Sequence, residues 1–533
     1  MTGNIILIGF SATGKSRVAP LAAQTLGWEA LDTDAQVEEM AGKPIPTIFA
    51  EEGEARFRQY ERQVLMKALE GEKKVIAAGG GAILDPKNRE RMRQRGFVVL
   101  LEARPGTILE RLSQDPNSRP LLQGPDPLAR IKELKARREP FYAFAHHTLP
   151  TDRLSLEGVA KRVARAYKAW STPSALVRTP ARTCPIYVRW GGLEGLGELM
   201  RERGLGERAV VISDVVAFSH HGERVIASLE GAGLRTFPYT FPAGEESKGL
   251  ETARRIYDFL VDYRAERGWA VVALGGGVGG DLAGFVAATY LRGLPLVQAP
   301  TSLVAMVDAS IGGKVGVNHP QAKNLIGAFH QPHFVLADPS CLLTLPKREL
   351  VSGFAEVIKH GLILDKRLFA FAEARAPALL SLEPPFLSRA VAWSARIKAR
   401  VVTRDERETT GLRTLLNYGH TIGHALEAAT GYTRFLHGEA VAIGMTGAVR
   451  LSQRLGLVGE EVVKRQERLL QAFGLPTACP GVPLDGIVQA MELDKKVREA
   501  EVRWVLLEDI GQATTHHQVP QEEVQTVLQE LTR

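Results

Sequence analysis

Two glycine-rich strand-to-helix turns, at Gly9 to Ser16 and at Gly275 to Gly280, and a late stretch where helical patterns dominate predict an α/β chain in three parts. Its 533 residues exceed one ordinary core, and 45% hydrophobic content suits a globular fold. The expected layout is an α/β domain over 1–168, a linker over 169–183, a second α/β domain over 184–344 and an α-helical domain over 345–533.

Cysteine usage and charge narrow the class. Cys184, Cys341 and Cys479 are too few and too scattered for a disulfide framework or a C-x-x-C metal site, which points to a reducing, cytoplasmic setting. The sequence opens directly on an apolar strand without a basic n-region and offers no run of ~20 uncharged apolar residues, so neither secretion nor membrane insertion is expected. The net charge is +7, and the first 172 residues hold 27 Lys and Arg against 21 Asp and Glu. Those cations alternate with acids and no aromatic stacking motif accompanies them. Anionic small substrates therefore explain the excess better than nucleic acid.

The first part begins with NIILIGF, a β-rich run feeding GFSATGKS, which fits G-x-x-x-x-G-K-[ST] and precedes a helical stretch. Loop N–H groups around Gly9, Thr13 and Gly14 are expected to cradle the β-phosphate of ATP, with Lys15 on the β/γ oxygens and the Ser16 hydroxyl on Mg²⁺. Downstream lie LDTDAQVEE (Leu31 to Glu39), IFAEEGEARFRQYE (Ile48 to Glu61), VIAAGGGAIL (Val75 to Leu84), SRPLL (Ser118 to Leu122) and RREPFY (Arg137 to Tyr142). In order and spacing these resemble shikimate kinase. The resemblance implies a P-loop kinase fold in which Asp34, Arg58 and Arg138 bind the shikimate hydroxyls and carboxylate beside a wall of Gly79, Gly80 and Gly81. It also implies that Asp32 helps hold magnesium, that Arg119 closes from a Pro-flanked lid over the transferring phosphoryl, and that Arg111 packs on adenine.

Phosphoryl transfer asks for the same residue types on independent grounds. It needs in-line positioning and neutralised equatorial oxygens, so Lys15, Mg²⁺ and Arg119 supply charge while Asp34 orients the attacking hydroxyl. Taken singly, each arginine reads more readily as a solvated helix face; only the joint spacing singles them out. Ser11 stands where the family usually has Met, followed by Ala12-Thr13-Gly14 in place of Gly-Ala-Gly, a departure that touches loop packing more than chemistry.

Ala166 to Cys184 mixes prolines with small and polar residues and reads as an interdomain connection. From Ile186 to about Pro339, β-rich runs at Ala209 to Asp214, Trp269 to Gly276, Leu296 to Ser302 and Phe334 to Asp338 alternate with helical stretches, which argues a parallel sheet of Rossmann-like character. Val271 to Gly293 reads as strand, Gly-rich turn and helix, suited to a dinucleotide pyrophosphate. In the helical part, Glu356, His420 and His437 are ligand types that leave a catalytic divalent metal open to substrate oxygens. His420 and His424, at i and i+4, share a helix face; on the residues alone they rank equally as ligands, beside the alternative of satisfied core histidines.

Pro300 to Pro332, AEVIKHG (Ala355 to Gly361), NYGHTIGHALE (Asn417 to Glu427) and LHGEAVAIGM (Leu436 to Met445) closely resemble 3-dehydroquinate synthase, and the resemblance runs from about Cys184 to the C-terminus. It implies NAD⁺ contacts from Asp214, Glu245, Lys248, Gly276, Gly277, Val278, Asp281, Thr301, Ser302, Lys323 and Cys341 to Thr344; Val216 stands where the family's Asp-x-Asn has its Asn. It assigns the metal, Zn²⁺ or Co²⁺, to Glu356, His420 and His437, and leaves His424 as a proton-transfer group. Arg292, Asp308, Lys314, Asn324, Lys359, Lys398, Glu408, Arg413, Asn417, Lys495 and Lys496 match its substrate-binding pattern. So many cations fit the family's substrate, 3-deoxy-D-arabino-heptulosonate 7-phosphate, which carries a carboxylate and a phosphate.

The implied reaction oxidises C5 with NAD⁺, loses phosphate, re-reduces, opens the ring and closes it by aldol addition. A ketone at C5 acidifies the neighbouring C–H, so elimination becomes feasible. A metal-dependent polyol dehydrogenase or another sugar-phosphate cyclase is the competing reading, and the former would accumulate NADH. The resemblance also implies a homodimer through the synthase part, with Arg292 crossing the subunit boundary. A dehydratase and a reductase act between the two implied activities, so channelling has no chemical basis. Fragments ending near Trp170 and beginning near Leu176 are expected to keep near-normal kcat and KM; kinase activity lost alone and regained on adding the second fragment would show coupled sites.

Overall fold

The computed structural model of the chain describes residues 3–113, 126–320, 322–498 and 503–533, leaving aside the side chains of 169 and 493–498. The chain divides into two compact units, Met1–Thr172 with Gly191–Arg203, and Pro173–Trp190 with Gly204–Arg533. Arg93 donates to Glu194 at 2.8 Å and Arg95 pairs with Glu198 at 3.4 Å, so Gly191–Arg203 groups with the first unit, a boundary the sequence pattern does not reveal.

In the first unit, β1 (Asn4–Ile8), β2 (Glu29–Asp32), β3 (Lys74–Ala77), β4 (Gly96–Glu102) and β5 (His147–Pro150) form a parallel sheet of order β2-β3-β1-β4-β5. β1 is apolar without alternation because both faces are covered. Ile5 and Leu7 pack with Val18, Ala22 and Val163 on one side; Ile6 and Ile8 pack with Leu65 and Met92 on the other.

In the second unit, β6 (Ala175–Arg178), β7 (Thr183–Val188), β8 (Arg208–Asp214), β9 (Arg235–Phe241), β10 (Ala270–Gly275) and β11 (Leu296–Pro300) enter one sheet. β12 (Lys314–His319) and β13 (Ala322–Phe329) pair as a separate antiparallel hairpin, and β14 (Phe334–Ala337) returns to the sheet. The order is β6-β7-β14-β11-β10-β8-β9, with only β6 antiparallel to its neighbour. β9 and β10 flank β8 on opposite sides, so the winding reverses there, and ligands of such sheets bind beyond the carboxyl ends of the strands at that point.

Past Leu345 the chain is mainly helical, as the patterning predicts. Helices Lys347–Leu364, Pro384–Arg404, His420–Ala429 and His437–Arg454 carry most of the polar groups taken up below. Helical periodicity does not reveal the hairpin of β15 (Trp504–Asp509) and β16 (Gln512–His516), whose Val505, Leu506 and Leu507 are buried. No helix among the described residues is long and apolar enough to cross a membrane. All three cysteines are buried thiols outside any disulfide.

The stretch read as a linker is more ordered than its composition suggests. Helix Leu156–Ser171 runs through Ala166 to Ser171, and Ala175 to Arg178 form the edge strand β6. Ala175 and Val177 alternate inward onto Ile186, Ala395 and Val402, which is why a Pro-flanked segment becomes a strand. Val177→Ala is expected to destabilise the second unit by about 1–2 kcal/mol, read as a lower denaturation midpoint, because it removes apolar volume that is 1% exposed. An unchanged midpoint would return this segment to the status of a tether.

Candidate active sites

The first site forms at the carboxyl ends of β1, β2 and β3. Gly9, Ala12 and Gly14 all have positive φ (150°, 61° and 97°), which turns the loop sharply and points its N–H groups toward one centre. Thr13 Oγ1 donates to the Phe10 carbonyl at 2.8 Å, and Lys15 Nζ arches back to the carbonyls of Gly9 (2.9 Å) and Phe10 (3.1 Å). Ser16 lies in the first turn of helix Lys15–Leu26. Arg111 is held beside the loop by Thr151 O at 2.9 Å and reaches Ala12 O at 3.4 Å.

Across from the loop, Asp32 caps helix Thr33–Ala41 by accepting from Asp34 N at 2.9 Å. Arg58 pairs with Glu61 at 2.8 Å and Glu54 at 2.9 Å, and Arg138 donates to Gly80 O at 3.1 Å. A Cβ on Gly79 would lie 2.5 Å from Asp34 Oδ1, and one on Gly81 would run into the Arg58 guanidinium, so only glycine lets this wall approach both groups. Asp34, Arg58, Arg138 and Gly79 to Gly81 thus converge. Arg119 lies outside the described residues. Glu61, which sequence reading leaves without a role, is buried and steers Arg58; burial lifts its carboxyl above the ordinary range despite the arginine. Its spacing, three residues after Arg58, is the signal that could have found it.

The dinucleotide candidates gather at the winding reversal. Asp214 Oδ1 caps helix Val215–Gly231 from Val216 N (3.0 Å) and Ala217 N (2.9 Å), while Val216 is 53% exposed. A Cβ on Gly275, at φ 151°, would stand 3.3 Å from Asp214 Oδ2, and Thr301 N donates to Gly275 O at 2.9 Å. Gly276 precedes helix Gly277–Thr289, which has no side-chain cap, so Gly277 and Val278 leave their N–H groups to a ligand anion; Ser302 faces Gly276. Lys248 Nζ donates to Asp281 Oδ2 at 2.6 Å and to Asn324 Oδ1 at 2.5 Å, and Asn318 joins Glu245 at 2.7 Å. Cys341 and Thr344 sit on one short turn, where Thr344 Oγ1 is 3.0 Å from His221 Nε2. Lys323 lies 4.0 Å from the ring centre of Tyr432.

The metal candidates meet on three helices. Glu356 Oε1 is 3.9 Å from His420 Nε2 and 3.9 Å from His437 Nε2, separations suited to donors sharing one divalent ion with bonds of ~2.0–2.2 Å. The opposite nitrogens are held from behind: His420 Nδ1 by Tyr418 O at 3.3 Å and His437 Nδ1 by Glu427 at 3.4 Å, the arrangement that aims an imidazole at a metal. Glu356 Oε1 is buried without a hydrogen bond while Oε2 is ion-paired with Lys359, so one oxygen of the carboxylate is left for a cation. Burial and the charge of Lys359 take His420 well below its usual range, which keeps its lone pair free; at His437 burial is outweighed by Glu427 and the ring is lifted. His424 packs edge-on to His420 at 5.2 Å and is exposed. Glu427, seven residues after His420 on the same helix face, is a support that the sequence reading passes over.

Buried cations surround this centre. Lys359 pairs with Glu356, and Lys398 with Asp308, which stands on a π-helical turn, Ala305–Ala309. Lys314 meets Glu408 at 2.7 Å and Arg413 meets it at 3.5 Å; Glu408 has φ 60°. Asn417 ends the turn that starts at Arg413. Arg292 stands at a left-handed turn (φ 69°) and forms no hydrogen bond or ion pair among the described residues. The side chains of Lys495 and Lys496 lie outside the described residues.

Fold and site together define a P-loop phosphotransferase followed by an enzyme suited to a dinucleotide, a divalent metal and an acidic sugar. Residues 11–168 match the family model described as shikimate kinase, residues 238–352 that of the 3-dehydroquinate synthase N-terminal part, and residues 353–497 that of its C-terminal part. The chain is 48% identical over 356 residues to 3-dehydroquinate synthase of Nostoc punctiforme, covering 66% of this chain and 98% of that protein. Among solved structures it resembles the 2-epi-5-epi-valiolone synthase of Streptomyces hygroscopicus with bound NAD⁺ and Zn²⁺ (29% identity, TM-score 0.61, 66% of this chain and 98% of that one). It also resembles a 2-deoxy-scyllo-inosose synthase complexed with carbaglucose-6-phosphate, NAD⁺ and Co²⁺ (27%, TM-score 0.60, 67% and 99%). The chain belongs to the 3-dehydroquinate synthase family and carries a shikimate kinase domain ahead of it, which makes it a bifunctional enzyme of the shikimate pathway.

The loop presenting Glu408 and Arg413 hangs on Asp405, which accepts from Thr409 N (2.8 Å), Thr410 N (3.1 Å) and Arg413 N (3.0 Å). Burial pushes this carboxyl up, but the three donors outweigh it and hold it below the ordinary range. Its stabilisation is therefore complete above about pH 4 and is lost as pH falls through the depressed value. Asp405→Asn is expected to cost about 1.5–3 kcal/mol at neutral pH and to raise the synthase KM, and the cost should shrink in acid. Equal cost at both pH values would contradict this account.

Proposed function

We propose that the second unit converts 3-deoxy-D-arabino-heptulosonate 7-phosphate to 3-dehydroquinate and phosphate, and that the first phosphorylates the 3-hydroxyl of shikimate. The observation that carries the synthase reading is the convergence of Glu356, His420 and His437 among buried Lys359, Lys398 and Arg413. A polyol dehydrogenase would have no use for so many cations. The other sugar-phosphate cyclases are the second reading, but they share 29% and 27% of positions against 48% for the 3-dehydroquinate synthase.

Glu356, His420 and His437 would hold the metal, Zn²⁺ or Co²⁺ as in the two solved relatives, and the turn from Gly275 to Val278 would hold NAD⁺. Bound, these supply polarisation of substrate oxygens and a hydride acceptor that is restored within each turnover. The chain's own residues do the rest. Lys314, Lys398 and Arg413 bind and orient the carboxylate and phosphate ends, Asp308 keeps Lys398 charged and aimed, and exposed His424 moves protons between substrate and solvent. Arg292 would complete the site from a partner subunit in a homodimer, and the cytoplasm suits buried cysteines outside any disulfide.

In the first unit the loop from Gly9 to Ser16 would hold ATP and, with Asp32, Mg²⁺, whose charge neutralises the phosphate oxygens. Asp34 accepts the proton of the attacking hydroxyl, while Arg58 and Arg138 clamp the shikimate carboxylate.

Lys15→Ala should cut shikimate kinase activity by about 10²-fold or more and leave synthase activity intact, and His437→Ala should do the reverse. Both activities are assayed on the purified full chain. Parallel loss in either variant, with the fold intact by circular dichroism, would refute two independent sites.

A further inference from the structure

We propose that Gly438 and Ser352 are positioning residues of the metal centre, a contact between two helices that sets how far His437 stands from Glu356. The inference rests on the metal assignment given above. Ser352 precedes Glu356 by one turn on helix Lys347–Leu364, and Gly438 follows His437 in the first turn of helix His437–Arg454. Gly438 N donates to Ser352 Oγ at 3.0 Å, and both residues are buried. A Cβ on Gly438 would stand 1.9 Å from Ser352 O and 2.7 Å from its Oγ, so only glycine lets the two helices meet here.

The first N–H groups of a helix have no partner within it, and Leu436 at the cap position carries no side-chain oxygen. Ser352 therefore serves as the cap from a neighbouring helix, which ties the start of the helix bearing His437 to the turn before Glu356. The third donor meets the same helix in a like manner: a Cβ on Gly444 would stand 1.9 Å from the carbonyl oxygen of Gly419, which immediately precedes His420. Each donor thus lies one residue or one turn from a point where main chains touch, and Glu356 Oε1 stands 3.9 Å from Nε2 of both histidines. Metal sites hold their bond lengths to within ~0.2 Å, whereas nonbonded atoms settle at ~3.5 Å, so a methyl group on Gly438 must part the two helices by more than ~1 Å. That displacement exceeds the tolerance of the site severalfold, and it falls on the donors nearest the contact.

The full-length chain is freed of metal by chelator dialysis, Zn²⁺ affinity is measured by competition with a chromogenic chelator, and the visible spectrum of the Co²⁺-loaded chain reports ligand geometry. Gly438→Ala is expected to weaken Zn²⁺ binding by about 10–100-fold and Ser352→Ala by about tenfold, each with a changed Co²⁺ spectrum at full loading. Leu451→Ala supplies the comparison for packing alone. It removes a side chain that is 0% exposed on the same helix, ~21 Å along the axis from His437, and should lower the melting midpoint while leaving affinity and spectrum as in wild type. Unchanged affinity in Gly438→Ala or in Ser352→Ala, or equal weakening in Leu451→Ala, would overturn the inference. If Gly438→Ala does not fold, Ser352→Ala, which removes only a hydroxyl, decides by the same two readouts. Wild-type chain that binds no Zn²⁺ would refute the metal assignment and the inference with it, whereas tight wild-type binding with indifferent variants refutes only the role of the Ser352–Gly438 contact.

Discussion

Glu356, Lys359 and Lys398 are charged groups held almost entirely out of water, and pairing them is the constraint on which the second unit depends. An unpaired ion in such surroundings costs several kcal/mol, so helices Lys347–Leu364 and Pro384–Arg404 and the π-turn at Asp308 must lie where Glu356 meets Lys359 and Asp308 meets Lys398. The pairs are not closed on themselves. Glu356 Oε2 takes the lysine while Oε1 has no hydrogen bond, and the imidazoles of His420 and His437 turn their Nε2 atoms toward Oε1. A core arranged for stability alone would replace such groups by apolar ones; this arrangement serves a cation and an anionic substrate.

The two enzymes handle phosphate by different physics. On the proposed reading the first unit holds phosphate with a loop that has positive φ at Gly9, Ala12 and Gly14, where backbone N–H groups bind and side chains add charge. On the same reading the second would use side-chain cations fixed by carboxylates: Glu408 pairs with Lys314 and Arg413, and Asp308 with Lys398. A phosphoryl group is transferred by breaking a P–O bond in one case, and intact phosphate is expelled by breaking a C–O bond in the other. The dinucleotide turn and the metal donors belong to the same unit, which allows oxidation, elimination and re-reduction of one bound substrate.

Much of this was legible in the sequence because function here is local along the chain. The strand-loop-helix signature around Lys15, the Gly275 turn and the β-rich runs of the larger sheet rest on short-range patterns, and the structure has those elements. The residues that sequence reading missed act through space. Glu61 reaches Arg58, Glu427 backs His437, and Asp405 gathers three N–H groups. His420 and His424 could not be ranked from spacing alone, since both fall on one helix face. The structure sets them apart without ranking them as ligands: His420 Nε2 faces Glu356 and its side chain is 14% exposed, while the more exposed His424 groups with Glu427 and His437. β6 was hidden by its proline-rich flanks, although Ala175 and Val177 alternate as an edge strand must.

The central claim is that the second unit returns its hydride to the molecule from which it took it. The direct measurement is the yield of phosphate and 3-dehydroquinate per NAD⁺ supplied, with the heptulosonate phosphate as substrate and NADH followed in the same reaction. The account predicts many products per NAD⁺, phosphate and 3-dehydroquinate in equal amounts, and no accumulation of NADH. One NADH per substrate consumed, with no phosphate released, would contradict it and make the second unit a dehydrogenase.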